Sequence, residues 1–491
     1  MDKVKFQTFR NRFFIRFTSY VRYKFHKKIK EMSSILEAWE HRKLTLLGKI
    51  TVVKTLALPK IIHLLTALPN LSQIKIKELN TLFYNFIWNG KLERIKRNTL
   101  IGDFMQGGLN MVHLSSFSTY LKISWVRRLL LNLEGSWQTL LLSELTKFGG
   151  DRVFSLQKEK LLEIHGYVKN PFWKDVLFCL HTAKPYTKAC TNDILSLDIL
   201  NFVPLSDYTI YMQWKDFGVQ YIKDLVNGQN KDFFTFEKIR HKILTNNFLK
   251  YYSLISNIPK FIKDHIKEYC DSQQIENVNI SDAFCTQIIN NKKPKFVYKS
   301  LIDHIFQPPL EKFQKWEQLI DSEIENWQKY FMLLRKSCKD TYLKSFQYKI
   351  LHQIIPTNSF LYKIKKKDSS SCTFCKLDDE TIVHFFYDCP ITYQFWSSLL
   401  QQIRLYSRDF AISKKQIFLG FYSESLFMNL LFIVAKNYIY KCKFKELTPN
   451  IFGFKNRIKQ YQSYEYYIAK KYNNVEVYEK FWTPLQYIFP P

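Results

Sequence analysis

Cys372, Cys375, His384 and Cys389 stand in a C-x2-C-x8-H-x4-C array, and no other feature constrains this chain so tightly. Three thiolates and one imidazole suit a tetrahedral zinc ion, and the short first gap lets two sulfurs chelate from a single turn. Four protein ligands leave no coordination position open, so the expected role of the metal is structural and not catalytic. Residues 380–387, Glu-Thr-Ile-Val-His-Phe-Phe-Tyr, read as a short helix, and Pro390 after Cys389 suits the first position of the next one. The bland alternative is three reduced core cysteines beside an unrelated histidine. Four ligands in so short a stretch argue against it.

The flanks of the array carry a family resemblance. Upstream runs 341–358, Thr-Tyr-Leu-Lys-Ser-Phe-Gln-Tyr-Lys-Ile-Leu-His-Gln-Ile-Ile-Pro-Thr-Asn; downstream runs 390–396, Pro-Ile-Thr-Tyr-Gln-Phe-Trp. With the array they resemble the zinc-binding region that follows the polymerase in LINE-type non-LTR retrotransposon reverse transcriptases. Three earlier stretches are similar to the segment just after the palm of those polymerases, in the thumb and its successor. They are 39–50, Trp-Glu-His-Arg-Lys-Leu-Thr-Leu-Leu-Gly-Lys-Ile, followed by Leu58-Pro59; 86–90, Phe-Ile-Trp-Asn-Gly; and 107–110, Gly-Gly-Leu-Asn. Residues 435–443, Ala-Lys-Asn-Tyr-Ile-Tyr-Lys-Cys-Lys, resemble a helix near the C-terminus of the same proteins. The resemblance implies a thumb-like module, a zinc-binding domain, and a grip on template RNA and target beside a polymerase.

The sequence shows none of the catalytic signatures of that family. Such a polymerase needs carboxylates around two divalent cations, usually from an aromatic-x-Asp-Asp turn. The one adjacent Asp pair, Asp378-Asp379, follows Lys-Leu inside the array and reads as a solvated turn that caps the helix from Glu380. No acidic motif suited to DNA cleavage follows the array, no Ser/His/Asp order can be defended, and Gly107-Gly108 is too short for a phosphate loop. The expectation is therefore a chain without catalytic residues. The isolated histidines lack partners at helical spacing, and His352 is expected to pack and not to ligate.

Charge points to a polyanionic partner. The 73 Lys and Arg against 43 Asp and Glu leave a net charge of +30, which self-repels unless a polyanion is present. Thirty Tyr, 42 Phe and 10 Trp add rings on which unstacked bases can lie, although most must fill helical cores. RNA or single-stranded DNA is the expected partner, with a reverse transcriptase polymerase in trans as another. The basic runs at 91–97, 292–299 and 363–367 each read as solvated faces first. The last is preferred as a binding site because Lys363, Lys365, Lys366 and Lys367 precede the array immediately and Phe374 inside it offers a ring. The runner-up is a zinc-stapled interaction module that docks an intact polymerase or a host factor.

Scarce Gly and Pro, with apolar residues at three- and four-residue steps, predict a mostly α, multi-module helical protein bearing a small zinc-stapled CCHC knob. The expected map is a basic arm at 1–30, a helical thumb-like module at 31–148, and a weakly patterned helical connector at 149–310. A reverse-transcriptase-type zinc-binding domain comes next at 311–445, then an aromatic tail at 446–491 that folds back. Met32, Leu36, Trp39, Leu46, Ile50 and Val53 fit one stripe with a break at Gly48, and Pro59 and Pro69 punctuate the short helices after it. The acid-poor arm, with ten Lys or Arg in thirty residues, fits a nucleic-acid-contacting helix, a presequence or an unrelated extension. Nine unevenly spread cysteines do not suit a disulfide framework, so reduced thiols and an intracellular setting, nucleus or cytoplasm, are expected. The most apolar stretch, 425–440, is interrupted by Asn429 and Lys436 and predicts no membrane span.

Overall fold

A computed structural model describes residues 2–131, 135–184, 194–243, 247–269, 283–292, 295–421 and 426–490, with backbone alone for 2–18, 140, 269 and 283. The protein is mostly α-helical; the regular strands among the described residues are Val226–Asn227 and Asp232–Phe233, a two-residue antiparallel pair. The chain forms two compact units, each drawn from three segments: Met1–Met32, Leu58–Asn80 and His113–His304 in the first, Ser33–Ala57, Thr81–Val112 and Ile305–Pro491 in the second. No single helix among the described residues is long and apolar enough to cross a membrane; the consecutive helices 46–57 and 59–67 reach that composition only together.

The opening helix runs unbroken from Asp2 to Glu40. The break expected at Gly48 lies earlier, at 41–45, because Thr45 starts the next helix: its Oγ1 accepts from Gly48 N at 3.1 Å, so Gly48 is inside the helix Leu46–Val52. A π-helical turn, Val53–Ala57, comes next, and Pro59 then opens Pro59–Ala67 at the position where its missing N–H costs nothing.

In the first unit one core runs from Ile123 to Val297. The buried Lys122 ammonium bonds the carbonyls of Leu65 and Leu68, and Trp125 Nε1 donates to Thr66 O at 2.9 Å, so the end of Pro59–Ala67 is satisfied by the helix Leu114–Leu130. A bidentate pair, Arg152 to Asp198 at 2.8 and 2.7 Å, is buried in the same unit. Part of the basic run at 292–299, residues 293–294, lies outside the described residues.

The second unit brings together motifs that lie far apart in the chain. Lys49 bonds Phe86 O at 2.7 Å and the Asn89 side chain, joining the 39–50 and 86–90 stretches. Lys54 Nζ reaches Asn110 O at 2.9 Å in the Gly-Gly-Leu-Asn loop. Gly107 O, in the same loop, accepts from both Tyr348 Oη and His352 Nε2 at 2.8 Å. Gly107 has φ +88°, and a Cβ at Gly108 would lie 2.0 Å from Gly102 O, so this loop requires both glycines. Burial holds His352 neutral, its pKa pushed down to about 4, and its place against Gly107 shows a packing residue.

The helix Leu426–Lys445 takes in residues 426–440 of the apolar stretch, Ser425 lying outside the described residues, and is buried on nearly every side, which explains why it lacks a clean amphipathic pattern. Asn429 and Lys436 are buried with it: Asn429 Oδ1 accepts from Phe421 N at 2.8 Å, and Lys436 Nζ bonds Ile417 O. The aromatic tail folds back as two helices, Ile451–Lys471 and Val475–Ile488, placing Trp482 against Phe427 and Phe454 against Phe395.

Candidate metal centre

The elements around the array are positioned by local caps. Asp340 Oδ1 accepts from Tyr342 and Leu343 N to start Thr341–Leu351, and Thr357 Oγ1 accepts from Phe360 N to start Asn358–Lys363. Lys365 at φ +53° then turns the chain out of the helix. An isolated antiparallel bridge between Ser371 and Asp379 closes the base of the loop, and Lys376, at φ +62°, donates its N–H to Cys372 O at 3.1 Å.

This loop and the turn after it bring the four ligands together. One donor atom from each of Cys372, Cys375, His384 and Cys389 lies within 4.8 Å of the others. Cys372 Sγ and Cys389 Sγ are 3.8 Å apart, and Cys375 Sγ is 3.3 Å from His384 Nε2. Tetrahedral zinc with Zn–S near 2.3 Å and Zn–N near 2.0 Å sets edges of roughly 3.5–3.8 Å. The donor set and its spacing therefore fit zinc, with Nε2 as the histidine donor. On the other side of the ring, Nδ1 is 3.7 Å from Asp378 Oδ2, where a carboxylate can fix the tautomer of a metal-binding imidazole.

The surroundings favour the thiolate at Cys389. The Cys372 thiol donates to Cys389 and so pulls the Cys389 pKa well below the ordinary thiol value, helped by the amides of Thr392 and Ile391 and opposed by burial. Those amides belong to the first turn of Pro390–Tyr406, where unsatisfied N–H groups favour an anion. The same hydrogen bond, together with burial, pushes the Cys372 thiol up, while the Cys375 and Phe374 amides pull it down.

Residues 384–388 form a single π-helical turn, and Pro390 opens the next helix as expected. The cap of that turn differs from the expectation. Thr381 Oγ1, and not the Asp378-Asp379 pair, accepts from His384 N at 3.1 Å. Asp378 instead supplies a backbone carbonyl to Cys372 N, and Asp379 bonds Ser370 Oγ.

Glu380 is the residue that sequence reasoning missed. It is 0 % exposed, and it accepts from Asn358 N at 2.8 Å, Thr373 N at 2.9 Å, Thr373 Oγ1 at 2.6 Å and the Lys443 ammonium. Asn358 extends the network, its Nδ2 donating to Ser371 O and Thr373 Oγ1. One buried carboxylate thus joins the loop, the helix Asn358–Lys363 and the helix Leu426–Lys445. The sequence carried little signal for it: Glu380 follows Asp378-Asp379 like one more acid of a solvated turn, and Lys443 stands between Lys441 and Lys445. Nothing in their spacing pairs them.

All four lysines chosen beside the loop, Lys363, Lys365, Lys366 and Lys367, are exposed, and Lys367 Nζ also bonds Asn358 Oδ1 at 2.9 Å and so supports the network. Phe374 is half-buried, one face stacked on Phe385 at 5.2 Å. The basic run at 91–97 is partly absorbed by the fold. Arg94 donates to Ile354 O at 2.8 Å and lies over Phe360, while Arg97 pairs with Glu93. The floor is aromatic: Trp396 Nε1 donates to Phe386 O at 2.6 Å, and Phe386 meets Phe346 edge-on. Residues 313–396 match the family described as zinc-binding in reverse transcriptase, a span that holds all four ligands and Glu380 but ends before Lys443.

Proposed function

We propose that this chain is a non-catalytic, nucleic-acid-gripping region of a LINE-type non-LTR reverse transcriptase, the part that comes after the palm and includes the zinc-binding domain. The observation that carries the reading is the metal loop with Lys363, Lys365 and Lys366 standing exposed at its edge. The family match at 313–396 supports a reverse-transcriptase setting, and the order of the resembling stretches supports the LINE type. A rigid, metal-held loop presents cations in a constant arrangement at little entropic cost, which suits contact with a phosphate backbone. The partner is RNA or single-stranded DNA, held with weak sequence preference, and phosphoryl transfer is left to a polymerase. A setting in the nucleus or cytoplasm accords with the reduced thiolates that the metal needs.

A salt titration of binding to a labelled single strand tests this. Lys363, Lys365 and Lys366 replaced together by Gln should flatten the dependence of log affinity on log salt by ~2, at ~0.7 per phosphate contact. Equal slopes in the variant and the wild type would reject the loop edge as the site. A second reading, docking of a protein partner, is favoured by Leu377, 78 % exposed at the loop tip. It requires a partner that survives nuclease treatment.

A further inference from the structure

We propose that the outward face of the helix Ile451–Lys471 is a second contact surface for single-stranded nucleic acid, built from tyrosines and lysines outside the family match. The proposal rests on the reading that the chain binds single strands and adds a separate surface. At 3.6 residues per turn, Phe452, Lys459, Tyr464, Tyr467, Lys470 and Lys471 fall on one side of the helix. Phe454, Ile458 and Tyr461 fall on the other side and are buried, so the first set faces away from the core. Phe452 is 79 % exposed and Tyr467 71 %, and Lys459, Lys470 and Lys471 are exposed between and beyond them.

The charge on this face has one sign. The helix carries five cations and one carboxylate, Glu465, which turns inward and accepts from Trp482 Nε1 at 3.2 Å. Glu476 and Glu479 belong to the next helix, Val475–Ile488, which meets Ile451–Lys471 along its other flank, where Tyr478 lies 5.4 Å from Tyr466. The remaining face thus combines open rings with ammonium groups.

A duplex offers such a face only phosphates. A single strand offers phosphates to the lysines and unstacked bases to the rings, and so uses both. Tyr464 is partly fixed for this, since Gln460 Nε2 donates to its Oη at 3.2 Å, and a steadied ring loses less freedom when a base stacks on it. A protein partner would leave the cation excess unbalanced unless it were strongly acidic. The single strand is the occupant that matches both features.

Fluorescence anisotropy of the full, zinc-loaded chain with a labelled oligouridine strand decides it. Tyr464→Ala with Tyr467→Ala should weaken binding about tenfold or more, leave binding to a blunt RNA duplex unchanged, and be rescued by Phe at both positions. Lys459, Lys470 and Lys471 replaced by Gln should flatten the salt slope by ~2. All five side chains are exposed, so the melting curve should not move. Wild-type binding of the oligouridine that both sets of variants reproduce would overturn the second surface and leave the loop-edge reading intact. Absence of any wild-type binding would overturn both. Loss of a nuclease-resistant protein partner from the tyrosine variant, with strand affinity unchanged, would reassign the face to protein docking.

Discussion

Glu380→Gln is the sharpest test of how the metal loop is held. The substitution keeps shape and removes one charge, leaving the Lys443 ammonium 7 % exposed with no carboxylate beside it. The amide can still accept from Asn358 N or from Thr373, but its NH2 must then face another donor, because all four groups around Glu380 donate. Breaking one side of a buried pair costs about 3–5 kcal/mol. For a cooperative unit of a few hundred residues that lowers Tm by roughly 6–20 °C. Thermal and urea unfolding of the full zinc-loaded chain, followed by tryptophan fluorescence, would read this loss. A chromophoric chelator would show zinc leaving at lower denaturant than in the wild type. The decisive comparison is Glu380→Gln with Lys443→Met, which removes both charges. It should recover at least ~1–2 kcal/mol relative to Glu380→Gln alone, since an apolar pair is tolerated where a lone buried charge is not. If Glu380→Gln lies within ~1 kcal/mol of the wild type, or the double variant is merely additive, the buried pair is not what joins the loop to the helix Leu426–Lys445.

Elemental analysis should find one zinc per chain, and Cys375→Ser or His384→Ala should release it and melt the loop, because structural zinc contributes on the order of 10 kcal/mol to such a site; a folded wild-type sample without zinc would refute the assignment. Lys436 is held by burial at a pKa of about 7, below the ordinary 10.5, so the folded state binds fewer protons than the unfolded chain between those values and stability should rise with pH across that window. Lys436→Met should therefore be more favourable below pH 7 than near pH 10, by at most about 5 kcal/mol, with the lost bond to Ile417 O costing about 1–3 kcal/mol at every pH; unfolding curves with a pH-independent difference would contradict this. Gly108→Ala forces a Cβ onto the Gly102 carbonyl and the Thr99 carbonyl, both backbone, and should cost on the order of 3 kcal/mol in urea unfolding; an unchanged midpoint would show that the loop can move aside.

The ligand set, the helical class and the helix opened by Pro390 were legible in the sequence because each depends on neighbours within a few residues. Ligand type and spacing belong to one loop, periodicity to one helix, and a proline at a helix start acts on its own φ and missing N–H. Gly48 misled for the complementary reason: glycine weakens a helix only modestly, and the Thr45 hydroxyl decides where this one begins. Tertiary structure alone decided which distant residues meet. Glu380 and Lys443 are 63 positions apart, and Gly107 O and His352 are 245 apart. Each looks locally like a surface charge, a turn glycine or a stray histidine. Burial changes their meaning, because a carboxylate, an ammonium or a carbonyl removed from water must find its partner inside the protein, and the fold determines which partner is within reach.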